Sequence, residues 1–299
     1  MAHWSKRLKA PLRAQRLKRS YRSEIGLEQA RQAKVSLVMV TWNRPQFLSW
    51  SLASLFATVR RDPSTWELII WDNGSGSEKV LERAAERPNV RVLRSGANVG
   101  VNGYHHGFEQ ARLGDYLVEL DDDVLWFPDG WLDRLVLGFQ RVPRMGFLSA
   151  DMIEDEYAGL AHPMQNERLH YHEVKLDYET TLAVGPASGH CAMTSRAIYD
   201  EVGGFPTSAD RAFFSDDGHY NRMMRKFGYQ RGILRNLKVY HACGPHCNYI
   251  YSDLYKEKIS EFLQVEYQGE SFELRTDFIE TFRERYRPAD LVAITPPGL

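Results

Sequence analysis

From Val35 onward, short apolar runs alternate with segments whose apolar residues recur at helical spacing. The runs 35–41, 67–72, 90–93 and 116–120 are bounded by polar or turn-forming residues, a pattern that predicts buried strands. Segments 46–60, 78–86 and 103–112 lie between them and predict helices. Such alternation is that of βαβ units, so the predicted fold class is α/β with a mainly parallel central sheet flanked by helices. A helix over 129–140 and a strand over 145–150 extend this half. Segment 151–179, rich in His, Tyr, Glu and Asp, has no clear period and reads as an insertion or a partner-binding excursion. Order returns at Leu182. A helix over 196–202 closes on Gly203-Gly204, a second runs from Asp216-Asp217 to Phe227, and a strand ends near Tyr240-His241. The tail from 259 to 287 has a helical pattern.

Each predicted strand of the first half ends in small or polar residues: Thr41-Trp42-Asn43-Arg44-Pro45, Asp72-Asn73-Gly74-Ser75, Asn98-Val99-Gly100 and Asp121-Asp122-Asp123. In an open α/β sheet the carboxyl ends of the strands form the ligand crevice, so these four segments are expected to converge. Three aspartates at one strand end repel one another unless a positive group occupies the space between them, and a divalent cation with oxygen ligands is the reading they suggest.

Composition narrows the picture. Hydrophobic content of 43% and charged content of 26% over 299 residues are those of an ordinary globular protein with room for a substantial core. The net charge of −1 conceals an asymmetry. Residues 1–34 hold ten Lys or Arg against Glu24 and Glu28, which leaves the body acidic and argues against a nucleic-acid binder. Trp4, Leu8, Leu12 and Leu17 interleave with those charges. The arm is either a solvated helix packed on the body or a peripheral contact with an anionic membrane or acidic partner. No stretch reaches the ~18 apolar residues of a membrane span, and no apolar run marks a signal peptide. The three cysteines, an odd number, fit a reducing compartment, so a cytoplasmic location is expected, with the arm able to rest on the inner face of the membrane. Three regions follow: a basic arm over 1–34, a catalytic domain over 35–247 with halves 35–125 and 126–247, and a helical extension over 248–299.

The motifs match a known pattern in order and spacing. Val38-Met39-Val40-Thr41-Trp42-Asn43-Arg44, Ile69-Ile70-Trp71-Asp72-Asn73-Gly74-Ser75, Asn98-Val99-Gly100, Leu120-Asp121-Asp122-Asp123, Glu201-Val202-Gly203-Gly204-Phe205, Asp216-Asp217, Gly228-Tyr229 and a terminal His241 together resemble the inverting, family-two nucleotide-sugar glycosyltransferases of the GT-A fold. The resemblance covers roughly residues 35–241. Trp42 stands where the family often has Tyr, and Asp216 where Glu is commoner; neither departure alters the chemistry much.

The resemblance implies a metal-dependent enzyme, with Mn2+ or Mg2+, that moves a sugar from a nucleotide diphosphate donor to a glycan, lipid-linked or other hydroxyl acceptor in surface glycan or glycoconjugate synthesis. Asp121 and Asp123 are the outer positions of the family's Asp-x-Asp signature. That places Asp123 on the metal, Asp121 on the ribose or metal, and Asp122 in an orienting role, as the member expected to tolerate replacement best. His241 falls where a further metal ligand is common, and Asp217 where the general base stands. Asp72 resembles the carboxylate that reads a uracil or thymine imide, which favours UDP- or dTDP-sugars. Thr41, Asn43 and Arg44 would line base and ribose, and Asn98 the neighbouring wall.

Local chemistry leaves alternatives beside each role. Asp-Asn-Gly-Ser is also an ordinary turn, and Asp216-Asp217 can cap the helix that follows. His190, beside Gly189, reads either as a site residue or as a satisfied core histidine. Trp126, Trp131, Tyr171 and His172 are candidates for acceptor stacking or for packing. Cys243, His246 and Cys247 invite a zinc reading, though they lack a paired second half. Two rival functions remain at this point: a nucleotidyltransferase of similar fold, and a noncatalytic nucleotide-sugar or carbohydrate-binding module.

Overall fold

The computed structural model describes residues 2–75, 78–154, 164, 169–207, 216–242 and 280, 282, 284 and 285. Helices α1 (Ala2–Ser20) and α2 (Leu27–Gln32) precede β1 (Val35–Thr41). The first half continues α3 (Pro45–Thr58), β2 (Trp66–Asp72), α4 (Glu78–Ala85), β3 (Val90–Arg94), α5 (Asn102–Glu109), β4 (Tyr116–Asp121), β5 (Val124–Trp126), α6 (Trp131–Arg141) and β6 (Met145–Met152). The second adds β7 (His172–Lys175), β8 (Thr181–Val184), β9 (Cys191–Ser195), α7 (Arg196–Val202), α8 (Asp216–Lys226) and β10 (Gln230–His241).

One sheet runs β3-β2-β1-β4-β9-β6-β10-β8-β7, with β5 pairing the far end of β10. Strands β3, β2, β1 and β4 are mutually parallel, as are β6 and β10. Antiparallel β9 joins the two groups, and β8 and β7 add antiparallel strands beyond β10. Side chains alternate across each strand, so β1 sends Leu37 and Met39 to one face and Val38 to the other. The first face packs on Leu48, Leu52 and Leu55 of α3, Leu81 of α4 and Leu132, Leu135 and Val136 of α6. The second packs on Tyr104 and Phe108 of α5, Tyr199 of α7 and Tyr220 and Met224 of α8. Both faces are covered, and the strands are therefore apolar almost throughout.

Two features aim the chain at the crevice. Parallel pairing sets Thr41 beside Asp72 and Val40 beside Asp121, so the polar ends of β1, β2 and β4 share one edge. The 12-residue β10 pairs with β6 on both sides of a register shift between Leu234 and Lys238. Beyond that irregularity it leaves to pair Tyr240 with Trp126 and His241 with Val124. The break in register re-aims the strand end, as bulges do, and delivers His241 to the turn that follows β4.

The expected strands and helices of the first half are present. Within 151–179, the end of β6 and all of β7 are regular structure, because β7 closes the sheet edge against β8. Residues 155–163 and 165–168 lie outside the described residues, as does the tail over 259–279. Phe282 is buried in a helical stretch, stacks on Trp50 of α3 at 5.3 Å and lies tilted against Tyr240 at 5.3 Å. Trp131 is fully buried and stacks on Phe127 at 4.7 Å, so it is a core residue and unavailable to an acceptor. Among the described residues no helix is long and apolar enough to cross a membrane.

Helix α5 lies close on the sheet because Gly107 has no side chain. A Cβ there would sit 2.4 Å from Val38 Cγ1, a branched side chain without room to retreat. Gly107→Ala is expected to lower stability by about 1–3 kcal/mol despite alanine's better helix propensity, as read by urea denaturation.

Candidate active site

The crevice is built where three backbone segments are stitched together. Asp121 N–H donates to His190 O at 2.9 Å, and Ala242 N–H donates to Asp123 O at 2.8 Å. The turn after β4, the start of β9 and the end of β10 are thus fixed by main-chain bonds. Within this frame His241 Nε2 lies 3.0 Å from Asp123 Oδ1 and 3.2 Å from Asp121 Oδ2. A divalent cation with bonds of about 2.1–2.2 Å places adjacent octahedral ligands about 3.0 Å apart, the separation His241 keeps from each carboxylate, and one donor atom from each of the three residues lies within 4.8 Å of the other two. The His241 ring is held flat against the His190 ring, with centroids 4.9 Å apart and an interplanar angle of 16°. His190 is buried, which pushes its pKa down to about 3 and keeps it a neutral stacking partner.

Each carboxylate of the trio is clamped by its other oxygen. Tyr104 OH lies 2.7 Å from Asp121 Oδ1, which leaves Oδ2 turned to His241. Arg44 Nη1 donates to Asp123 Oδ2 at 2.7 Å, which leaves Oδ1 turned to His241. The other arm of the Arg44 fork bonds Asp122 Oδ1, and Thr41 Oγ1 donates to Asp122 Oδ2 at 2.7 Å. Burial of the Asp123 charge opposes ionisation, but the neighbouring Arg44 and His241 outweigh it and hold this carboxyl well below the usual range. Asp122 goes the other way: complete burial pushes it up to about 7 against the pull of Arg44. The guanidinium is thus divided between one fully ionised carboxylate and one that ionises reluctantly.

Across the crevice stands Asp217, in the first turn of α8. Its Oδ2 accepts from Gly189 N–H at 3.3 Å, and its carboxylate also accepts from Gly218 N–H. Asn221, one turn on, donates to Asp217 O at 2.7 Å and exchanges two bonds with the backbone of Ala187, at 2.7 and 2.8 Å. That buried amide fastens α8 to the loop ending at Gly189 and His190. Burial raises the Asp217 pKa, and the charge of Asp121 adds to the rise. The Asp216 side chain and Cys243, His246 and Cys247 lie outside the described residues.

The remaining sequence candidates line the same edge in more local roles. Asn43 has φ of 53°, a left-handed conformation that asparagine tolerates better than most residues, and it turns the chain so that Arg44 faces back to the aspartates. Asp72 Oδ1 accepts from both the N–H and the hydroxyl of Ser75, closing the turn after β2. Asn98 Oδ1 accepts from Gly100 N–H at 2.9 Å. Asn73 joins these two loops, accepting from Val99 N–H at 3.3 Å and donating to Gly100 O at 3.1 Å. Tyr171 Oη donates to Pro186 O at 2.9 Å, and burial first and then the charge of Asp217 push its pKa up to about 12. His172 lies instead on edge strand β7, and Trp126 packs beside the Phe47 and Trp50 cluster. Sequence reasoning missed Tyr104 and Asn221. Tyr104 follows the Asn-Val-Gly turn by four residues, and Asn221 follows Asp217 by one helical turn, so spacing from known motifs was the available signal.

Burial also revises the expectation that Asp122 tolerates replacement. It is fully enclosed, and its removal strips Arg44 and Thr41 of a partner. Asp122→Ala is expected to cost about 3 kcal/mol in urea denaturation, the lower end for a broken buried pair because Arg44 keeps Asp123. Asp122→Asn should cost less.

Comparison with known proteins bears on the fold and the family. A mannosyltransferase of Pyrobaculum calidifontis, solved in complex with GDP-Man and Mn2+, superposes with a TM-score of 0.57 at 17% identity, covering 97% of this chain and 78% of its own. That likeness establishes a shared fold, the GT-A architecture. The N-acetylglucosaminyl-diphospho-decaprenol L-rhamnosyltransferase of Mycobacterium tuberculosis (strain ATCC 25618 / H37Rv) is 29% identical over 202 residues, 56% of this chain and 64% of the relative. WcaA of Escherichia coli (strain K12), whose name refers to colanic acid biosynthesis and glycosyl transfer, is 30% identical over 98 residues, 32% of this chain. The chain spans about a third of the length of WcaA and just under two thirds of the mycobacterial enzyme. The sequence model described as "Glycosyl transferase family 2" matches residues 36–203, more than half of the chain, and the protein belongs to that family.

Proposed function

We propose that the chain catalyses inverting transfer of a sugar from a nucleotide diphosphate donor to a hydroxyl acceptor. The observation that carries this reading is the convergence of Asp121, Asp123 and His241, whose donor atoms lie within 4.8 Å of one another, with a raised-pKa carboxylate, Asp217, bonded to the loop at Gly189. Two carboxylates and an imidazole suit Mn2+ better than Mg2+, which prefers oxygen throughout. Bound there, the cation would supply Lewis-acid stabilisation of the departing nucleotide diphosphate.

The residues divide the remaining work. Tyr104 and Arg44 fix the carboxylates before any donor arrives, so little reorganisation is left for the reaction. Thr41, Asn43 and Asn98 shape the nucleoside end of the crevice. With Oδ1 of Asp72 committed to the Ser75 turn, Oδ2 is the oxygen proposed to accept a pyrimidine imide N–H, which favours a UDP- or dTDP-sugar. Asp217 would take the acceptor hydroxyl proton as that oxygen attacks the anomeric carbon opposite the leaving diphosphate, and the configuration inverts because the displacement is single. A raised pKa strengthens Asp217 as a base once it is ionised. The mycobacterial relative's name supports a lipid-linked acceptor. The basic helix α1, with Leu12 60% exposed among Arg13, Arg16 and Arg19, is proposed to rest on the anionic surface that would present one.

Three experiments test the assignment. Asp217→Asn is expected to retain donor binding and lower turnover by roughly 10² to 10⁴. Since the base must be ionised and burial raises its pKa, turnover of the unaltered protein should rise with pH along an acid limb lying above the ordinary carboxylate value of 3.8. Unchanged turnover in Asp217→Asn would remove that residue from the mechanism. For Asp123→Ala, calorimetric titration with UDP should lose its dependence on Mn2+, and a titration identical to that of the unaltered protein would refute the cation site.

A further inference from the structure

We propose that His105, His106 and Glu109 form a second metal site on α5, suited to a divalent transition metal of the zinc class and separate from the trio at β4. Gly103 and Gly107 put one face of α5 against Trp71, Val40 and Val38, and Tyr104 and Phe108 are buried with them. His105 and His106 are partly exposed and Glu109 is exposed. His105 and Glu109 are four residues apart, so their side chains lie one above the other, and His105 Nε2 is 3.2 Å from Glu109 Oε1. One donor atom from each of the three residues lies within 4.8 Å of the other two.

Two neighbours preorganise the donors. His105 Nδ1 lies 3.2 Å from the hydroxyl of Tyr199, whose ring is locked among Phe108, Phe205 and Tyr220. A hydrogen bond at one ring nitrogen orients the other, here Nε2, toward Glu109. The His106 ring rests tilted against Trp71, with centroids 5.2 Å apart. Tetrahedral ligation with bonds of about 2.0–2.2 Å needs donors about 3.4 Å apart; His105 and Glu109 already stand at 3.2 Å, and the two imidazoles would have to turn toward each other from within the 4.8 Å bound. Two imidazoles and a carboxylate favour Zn2+ over Mg2+ or Ca2+, and three protein ligands leave one coordination position open.

The site would matter through what it joins. His105 reaches α7 through Tyr199, and His106 reaches the end of β2 through Trp71, one residue before Asp72. Ligation would draw these attachments together from a helix that directly follows the loop at Asn98–Gly100. It would thereby stiffen the wall of the crevice without touching the trio.

Zinc titration of the full chain tests this in an Asp123→Ala background, where the trio is disabled and the outcome is independent of the proposed reaction. One Zn2+ should bind, raise the melting temperature, and persist when Cys243 and Cys247 are both replaced by serine. Adding His106→Ala or the milder Glu109→Gln should weaken binding at least tenfold. Absence of Zn2+ binding, its loss in the cysteine variant, or an affinity unaltered by both α5 substitutions would overturn the proposal.

Discussion

The whole crevice depends on how three adjacent carboxylates are kept from repelling one another. Like charges a few ångströms apart inside a protein destabilise each other by several kcal/mol unless a cation or a proton intervenes. Here Arg44 supplies the cation, bonding both Asp122 and Asp123, and burial raises the Asp122 pKa, which lessens the charge it adds to the cluster. Much else in the fold serves this compensation. The left-handed turn at Asn43 aims Arg44, Pro45 starts α3 immediately afterwards, and the break in β10 brings His241 to the carboxylates from the opposite side.

Fixing one oxygen of each outer aspartate determines the direction of the other. A free carboxylate rotates, and a cation site built on two free carboxylates must lose that entropy on binding. Tyr104 and Arg44 remove the freedom in advance, each from a different element, and the stacked His190 does the same for the His241 ring. The clamps and the oxygens left facing His241 form a single preorganised unit, so disturbance at Arg44, far along the chain from His241, is felt at the same centre.

The parallel half of the sheet was legible because its strands, buried on both faces, carry apolar runs that end abruptly in polar residues. Convergence of Thr41, Asp72 and Asp121 followed from strand direction alone. The antiparallel additions β7, β8 and β9 were not legible: four- and five-residue strands bounded by loops lack a period long enough to distinguish them from turns. At the site, residue types with few structural uses, three successive aspartates and a terminal histidine, stood out in the sequence. Partnerships did not. Arg44 reads as a nucleotide-lining residue until the left-handed Asn43 turns it onto Asp122 and Asp123, since no local rule couples positions almost eighty residues apart.

The triplet itself shows why sequence position is a poor guide to tolerance. Asp122 is the middle residue and touches neither His241 nor, on the proposed reading, the cation, so chemistry alone makes it dispensable. Burial reverses that judgement. Where β4 runs into its turn, Asp121 and Asp123 face His241 while Asp122 is fully buried, and Thr41 and Arg44 make its carboxyl tolerable there. Arg44 bonds both Asp122 and Asp123, so the middle aspartate holds in place the guanidinium that the outer one uses, and it acts on the site through Arg44 although its own side chain lies beneath the mouth.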